Sequence, residues 1–370
     1  MKNVFDNKKK WIGIIPPEGH TFEQLFARKS SFFEEGEGEN PLFQVRRILA
    51  QRNTELVNLF ESDTDTLQKV QMIIYFGRID FHVLKKYSHL KQIYFAFEPP
   101  CVDSAHSEKR LRRLAKHFDY ICTWNDVLVN KENFIKFNYV VDFTLKKIEG
   151  DYKGRKLVTN ISANKSVHYP NELYSKRLEA IKYFARHEPS FEFYGIGWES
   201  ENLSHYRGSA PSKRSVLSQY KFSICYENQS NVEGYITEKI WECMICGCVP
   251  VYWGANNIKE YVPSNCFIDY RDFGSLESLH EYLRNIPEDV WNDYIKNIDE
   301  FIRSVEDGSF SPDGFVSVIE DLLNKDKRIQ IGSFQRMMIR FIKATSKIES
   351  VYRRYGIRGT IIKYKERRKG

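Results

Sequence analysis

The sequence predicts an α/β protein made of two units, each with a parallel sheet at its centre. Short apolar runs alternate with helical stretches along most of the chain, and strands separated by helices return to the same sheet in parallel. The runs are apolar throughout, as strands covered by helices on both faces must be. Length agrees: 370 residues with 42% apolar content can fill about two cores of ordinary domain size.

In the first unit, the apolar run at 11–15 is a strand, and helical spacing at 41–51 gives the first helix. Apolar runs at 55–60 and 71–76 read as strands, separated by a short helical stretch at 67–70. A helix at 81–87, a strand at 92–97, a helix at 107–117 and a strand at 120–123 complete the alternation. A polar, glycine-containing linker at 146–154 separates the units. The second unit starts with a strand at 156–160, a helix at 172–187 and a strand at 191–194. After the block 220–273 come helices at 275–285, 288–305 and 315–324. No internal repeat is evident, and compositional bias is confined to the acidic 34–39 stretch and the basic end of the chain.

The block 220–273, YKFSICYENQSNVEGYITEKIWECMICGCVPVYWGANNIKEYVPSNCFIDYRDF, is the most informative part. An apolar run containing Phe222 and Ile224 leads into a polar loop with Glu227, Asn228, Glu233 and Gly234. A helix is expected to open at Tyr235-Ile236-Thr237-Glu238-Lys239. A helix start presents unpaired N–H groups and a positive dipole end, so a phosphate can settle there while Lys239 adds a full charge. Glu238 cannot serve a phosphate, but its carboxylate can accept hydrogen bonds from ribose or hexose hydroxyls. The chemistry is that of a nucleotide-sugar site.

Through TEK, GCVPVYWGA and CFIDYRDF, this block resembles the donor-site signature of the α-1,3/4-fucosyltransferases, glycosyltransferase family 10. The match is long and ordered, unlike a three-residue motif. The resemblance implies the GT-B architecture of two facing Rossmann-like domains. An acceptor domain would cover 1–150, a donor domain for GDP-fucose 151–330, and a basic amphipathic tail 331–370. It further implies inverting transfer of L-fucose from GDP-fucose to a glycan hydroxyl, with α-1,3 linkage. The expected acceptor is an oligosaccharide or lipid-linked precursor in bacterial lipopolysaccharide or O-antigen synthesis.

By the same resemblance, Arg177 stands where the family has its phosphate-binding arginine, and Asn160, Asn228 and Tyr235 line the donor pocket. Glu238 would hold ribose or fucose hydroxyls. Arg177, as a bidentate guanidinium, and Lys239, as a point charge, would stabilise the departing diphosphate.

Ligands of open α/β sheets sit beyond the carboxyl ends of strands. Glu98 follows the QIYFAF strand and precedes Pro99-Pro100, which restricts its backbone. Inverting transfer needs a base that removes the acceptor's hydroxyl proton during attack. Family 10 enzymes carry a glutamate in this region, in animal members within Glu-Ser-Pro; here the context is Glu98-Pro99-Pro100, a looser match. Asp80, Asp103 and Glu108 are the other carboxylates considered, and a capping or surface role is the plain alternative for each.

Asp63-Thr64-Asp65 spells the DxD pattern of metal-dependent GT-A enzymes, but Asp and Thr are equally good turn and N-cap residues. With Arg177 and Lys239 to neutralise the diphosphate no cofactor is required. Activity is expected to survive EDTA, and stimulation by Mn2+ is compatible with the site. The seven cysteines are odd in number and suit a reducing compartment. Cys243, Cys246 and Cys248 have a metal-like spacing but no matching His or Cys pair elsewhere, so they read as buried small residues.

The apolar run before Pro16-Pro17 is too short for a signal peptide or a membrane span, and no later apolar stretch reaches a span's length. The expectation is a cytoplasmic enzyme, peripheral at the inner face of a bacterial membrane. Between 327 and 370 there are 14 Lys and Arg against two Glu. There Phe334, Met337, Met338, Phe341 and Ile342 share one helical face flanked by Arg336, Arg340, Lys343 and Lys347, a pattern suited to an anionic membrane surface. Packing back on the protein is the alternative. No nucleic-acid motif accompanies the charge, so nucleic acid is not an expected partner. Two other functions share the scaffold: transfer from a different nucleotide sugar, and a catalytically inactive glycan-binding or membrane scaffold. Glu238, Lys239 and Arg177 occurring together weighs against the latter.

Overall fold

The computed structural model describes residues 9–29, 39–144 and 151–327, with Thr345 alone beyond them. The proposed amphipathic tail at 331–370 and most of the acidic 34–39 stretch lie outside the described residues. The chain divides into two compact units between Val140 and Val141.

The first unit contains β1 (Lys10–Ile15), α1 (Phe22–Phe26), α2 (Pro41–Gln51), β2 (Thr54–Asn58), α3 (Thr64–Lys69) and β3 (Met72–Phe76). It continues with α4 (Phe81–Lys86), β4 (Lys91–Ala96), α5 (Glu108–Leu114), β5 (Tyr120–Thr123) and β6 (Phe134–Lys136). The strands pair in the order β2-β1-β3-β4-β5-β6, all parallel. Central β3 (MIIYF) is buried at every position, as the unbroken apolar run requires. Its neighbour β4 is buried from Gln92 to Ala96, and Gln92 is satisfied there by bonds to Tyr75, Asp119 and Tyr87.

Side-chain caps set the element boundaries. Asn58 ends β2 earlier than the apolar run suggests, because its Oδ1 accepts from the Phe60 N–H at 3.1 Å and starts a turn. Asp63 caps α3 and Asp80 caps α4. The short α1 was not foreseen from the sequence, although Thr21 and Gln24 form a capping box there.

The second unit contains β7 (Lys156–Ile161), α6 (Tyr174–His187), β8 (Glu192–Tyr194), α7 (Lys213–Leu217), β9 (Tyr220–Tyr226) and α8 (Glu238–Ile245). After these come β10 (Val249–Trp253), β11 (Ile268–Asp269), α9 (Leu276–Asn285) and α10 (Glu288–Val305), and the chain then runs into α11 (Pro312–Asn324). The sheet is again parallel, in the order β11-β10-β9-β7-β8. β9 at its centre carries the site.

The last helix corrects the expected boundary at 330: α11 belongs to the first unit. Phe315 on α11 packs on Phe95 and Phe137, with ring centroids 5.4 and 6.2 Å apart. Lys91 Nζ donates to Leu322 O at 2.6 Å and Leu323 O at 3.0 Å, a cation on the exposed carbonyls of the helix end. Arg52 adds ion pairs to Asp313 and Glu320. An amphipathic helix reports that it has a partner but not which sheet supplies it.

Candidate functional site

Five of the residues proposed for the donor gather beyond the carboxyl end of β9, around a carboxylate not among those proposed. Glu227, the first residue after the strand, is fully buried at 0% exposure. Its carboxylate accepts from the Thr237 N–H at 2.8 Å and from the Thr237 hydroxyl at 2.8 and 3.0 Å. Lys239 Nζ donates to Glu227 Oε2 at 3.2 Å and to Thr237 Oγ1 at 2.8 Å, closing a triangle of hydrogen bonds. Glu238 Oε1 stands 3.6 Å from the same ammonium. Thr237 therefore does not cap α8 with its own side chain, and Glu227 occupies part of the anion-attracting space expected at that helix start.

The ammonium remains available. Lys239 keeps 26% of its side chain exposed; two of its three protons serve the triangle, and Glu238 lies beside the third. Burial alone would lower its pKa, but Glu227 and Glu238 more than offset that and raise it. Burial pushes Glu238 up, whereas Lys239 and Lys213 draw it further the other way, down to about 2. Both groups are charged at neutral pH, and Glu238, 38% exposed, faces out as an acceptor for hydroxyls.

Arg177 reaches the site from the first turn of α6. It is 4% exposed and stacks over the Tyr174 ring at 5.0 Å. Nε donates to Tyr226 O at 3.1 Å, and Nη2 donates to Glu227 O at 2.7 Å and Asn228 Oδ1 at 2.8 Å. The Nε–Nη2 edge of the fork is thus fully engaged with the end of β9, which leaves Nη1 to meet an anion. The bidentate fork expected from the sequence has its Nε–Nη2 edge turned to the protein, with Nη1 outside those bonds. Asn228 in turn donates to Tyr235 Oη at 3.2 Å, linking Arg177 to the approach of α8.

Asn160, the fifth residue of β7, donates to Ile224 O at 2.9 Å and accepts from the Ser162 hydroxyl at 2.6 Å. It ties β7 to β9 at the same sheet edge. Glycine at 254 has a steric reason: a Cβ there would lie 2.5 Å from Glu227 Cγ and closer still to the Tyr252 hydroxyl. The buried charge and the glycine of GCVPVYWGA belong to one close approach. Glu227 stood in the sequence as the first loop residue after the apolar run containing Phe222 and Ile224, with nothing local to mark it as buried.

In the first unit, Glu98 stands two residues beyond β4 and is exposed. The other carboxylates considered there act on local backbone. Asp80 accepts from His82 N and Val83 N, Asp103 from Ala105 N, and Glu108 lies in the first turn of α5. Asp63 of the DxD triplet accepts from Thr66 N at 2.7 Å and from the Thr66 hydroxyl, an N-cap in full use. Cys243, Cys246 and Cys248 are buried, and burial pushes the Cys246 thiol up to about 12 and Cys248 well above its ordinary value.

Comparison with known proteins agrees with the second unit's geometry. Residues 153–299 match the family model described as glycosyltransferase family 10 (fucosyltransferase) C-term. Over 74 residues the chain is 40% identical to an α-(1,4)-fucosyltransferase of Arabidopsis thaliana, covering 20% of this chain and 18% of the relative. Over 73 residues it is 33% identical to the α-(1,3)-fucosyltransferase FucT of Helicobacter pylori, covering 20% and 15%. A GDP-fucose protein O-fucosyltransferase 3 of Xenopus laevis is 50% identical over 72 residues, covering 19% and 15%. These curated relatives are thus each spanned over no more than 18% of their length. In fold, the chain is similar to a crystal structure of α1,3-fucosyltransferase with GDP, with a TM-score of 0.57 at 16% identity over 88% of this chain and 93% of that one. It is also similar to Anabaena HepE in complex with UDP and glucose, with a TM-score of 0.52 at 12% identity over 85% and 99%. Each unit is thus a parallel α/β domain of the kind found in GT-B enzymes, and the 153–299 segment is similar to the C-terminal domain of glycosyltransferase family 10.

Proposed function

We propose that the protein transfers L-fucose from GDP-fucose to a hydroxyl of a glycan, with inversion and an α-1,3 link. The observation that carries this reading is the Lys239–Thr237–Glu227 triangle, which holds a part-exposed ammonium at the head of α8 inside the segment that matches the family 10 model. In the proposed reaction Glu98 takes the acceptor's proton as its oxygen attacks the anomeric carbon, and GDP leaves with the electrons of the broken glycosidic bond. Lys239 and Arg177 Nη1 meet the charge that grows on the diphosphate, and Glu238 accepts from sugar hydroxyls. Two cations suffice for the diphosphate, so the reaction is metal-independent in this reading. The acceptor is a bacterial surface saccharide, lipopolysaccharide or O-antigen, assembled at the inner face of the membrane. The α-1,3 link is supported by the name of the Helicobacter pylori relative, an α-(1,3)-fucosyltransferase.

Fold does not choose the nucleotide, because the likeness extends to a protein crystallised with UDP and glucose. The choice of GDP-fucose rests on the 153–299 match. A protein hydroxyl is the second reading for the acceptor, favoured by the 50% identity to a protein O-fucosyltransferase. GDP release is to be measured with a panel of nucleotide sugars, alone and with disaccharides or hydroxyl-bearing peptides. Turnover with GDP-fucose and a disaccharide is expected. Turnover confined to a UDP-sugar would reject the fucose assignment, and turnover confined to peptides would reject the glycan.

A further inference from the structure

Glu98 is held through the two peptide groups on either side of its Cα. The Tyr139 hydroxyl donates to Phe97 O at 2.5 Å, and His106 Nδ1 lies 2.7 Å from Glu98 O. A carbonyl can only accept, so Nδ1 carries the proton and donates to Glu98. His106 is 2% exposed, and its other nitrogen lies 2.9 Å from the Tyr94 hydroxyl. That hydroxyl is also 2.9 Å from Gly77 O, in the turn that leaves β3, and Asp103 Oδ2 lies 3.6 Å from His106 Nε2. The Nδ1–H bond to Glu98 survives whichever way the Tyr94 proton turns, since Nδ1 has no other partner among these groups. Beyond Glu98 the turn is closed by Val102 N and Asp103 N, which donate to Pro99 O at 2.9 and 3.0 Å.

We infer that His106 and Tyr139 are positioning residues: together they clamp the peptide planes flanking Glu98 and thereby aim its carboxylate. The physical need is plain. Glu98 follows a strand and is exposed, where a side chain ordinarily samples many directions. Fixing φ and ψ on both sides sets where its Cβ points. Pro99 removes the N–H that could otherwise compete for a partner and restricts Glu98 to extended conformations. A buried histidine donating to a main-chain carbonyl is a common structural device, but here the carbonyl belongs to the proposed base, and the next peptide back is held by a second side chain.

This inference rests on Glu98 as the base, and the test separates the two. GDP release from GDP-fucose is measured with water as the only acceptor, together with GDP affinity by calorimetry. His106→Ala is expected to lower kcat by about tenfold to a hundredfold, as a misplacement on the order of 1 Å does, with KM for GDP-fucose and GDP affinity unchanged. His106→Asn, which keeps an N–H near the Nδ1 position, should recover most of the loss. Tyr139→Phe removes only the hydroxyl and should lower kcat by a smaller factor; it serves as the test if His106→Ala does not fold. In a Glu98→Gln background neither substitution should lower the residual rate further. If Glu98→Gln alone turns over as the wild type does, the base assignment falls and the clamp falls with it. If Glu98→Gln is impaired but Tyr139→Phe and folded His106→Ala keep the wild-type kcat, or lower it equally in the Glu98→Gln background, the clamp is wrong and the base stands.

Discussion

At the edge of the second sheet, Lys239 is held by its own charge: its ammonium meets a fully buried carboxylate and a hydroxyl, and its pKa is raised by that company. At the edge of the first sheet, Glu98 is held by its main chain, through carbonyls gripped by Tyr139 and His106. The difference follows from the work proposed for each. A cation that stabilises a leaving group keeps one protonation state, so a buried counter-charge can fix it in advance. A base must take up a proton, and ion pairs to its carboxylate would depress its pKa and weaken it. Backbone restraint orients such a group through its main chain.

The largest effect should come from the base. Glu98→Gln is expected to reduce fucosyl transfer by about 100- to 10,000-fold while GDP-fucose affinity stays within about twofold, by calorimetry. Lost donor affinity would place Glu98 in the donor site and erase the contrast. Lys239→Ala should cost about 100- to 1,000-fold in kcat and weaken GDP binding as well. It leaves Glu227 buried without its cation, so the melting temperature should fall; Lys239→Ala combined with Glu227→Gln should recover stability but not activity.

Arg177→Ala sharpens the point that this side chain is also structural. It leaves Tyr226 O, Glu227 O and Asn228 Oδ1 without their donor, so a loss of about 1–3 kcal/mol by denaturant titration is expected beside the loss of activity. The smallest effect lies away from the site. Burial would raise the Glu192 pKa, but Lys156, Tyr220 and Arg207 hold it down to about 2. A depressed carboxylate contributes stability above its unfolded pKa and loses it as pH falls towards the folded one. Glu192→Gln should therefore destabilise by on the order of 1 kcal/mol at pH 7, and the gap to wild type should shrink below about pH 4.5 and close near pH 2. A gap independent of pH would assign the effect to packing.

Most of the strands were legible because a strand buried on both faces is predominantly apolar, as β3 is throughout and β4 and β9 are apart from Lys91, Gln92, Lys221 and Ser223. The donor half was legible for a different reason: the acid, the glycine, Thr237, Glu238, Lys239 and Gly254 lie within one short stretch, close enough in sequence to form a pattern. Glu227 was visible in that stretch, but its part was not, since a carboxylate in a loop looks the same whether it faces solvent or fills a cavity. The clamp on Glu98 left no pattern at all. Its members come from β4, the turn after it and the segment beyond β6, and Tyr94, His106 and Tyr139 each resemble ordinary core residues.

Sequence alone determined two parallel α/β units and the likeness of the 220–273 block to family 10, from which the nucleotide-sugar reading is proposed, because apolar periodicity and contiguous motifs are local properties of the chain. Tertiary structure decided that α11 packs with the first unit, that Arg177 engages one edge of its guanidinium with β9, and that Glu227 lies under Lys239. Those outcomes depend on which groups meet across long separations. Burial and hydrogen-bond satisfaction select among partners that no local pattern names.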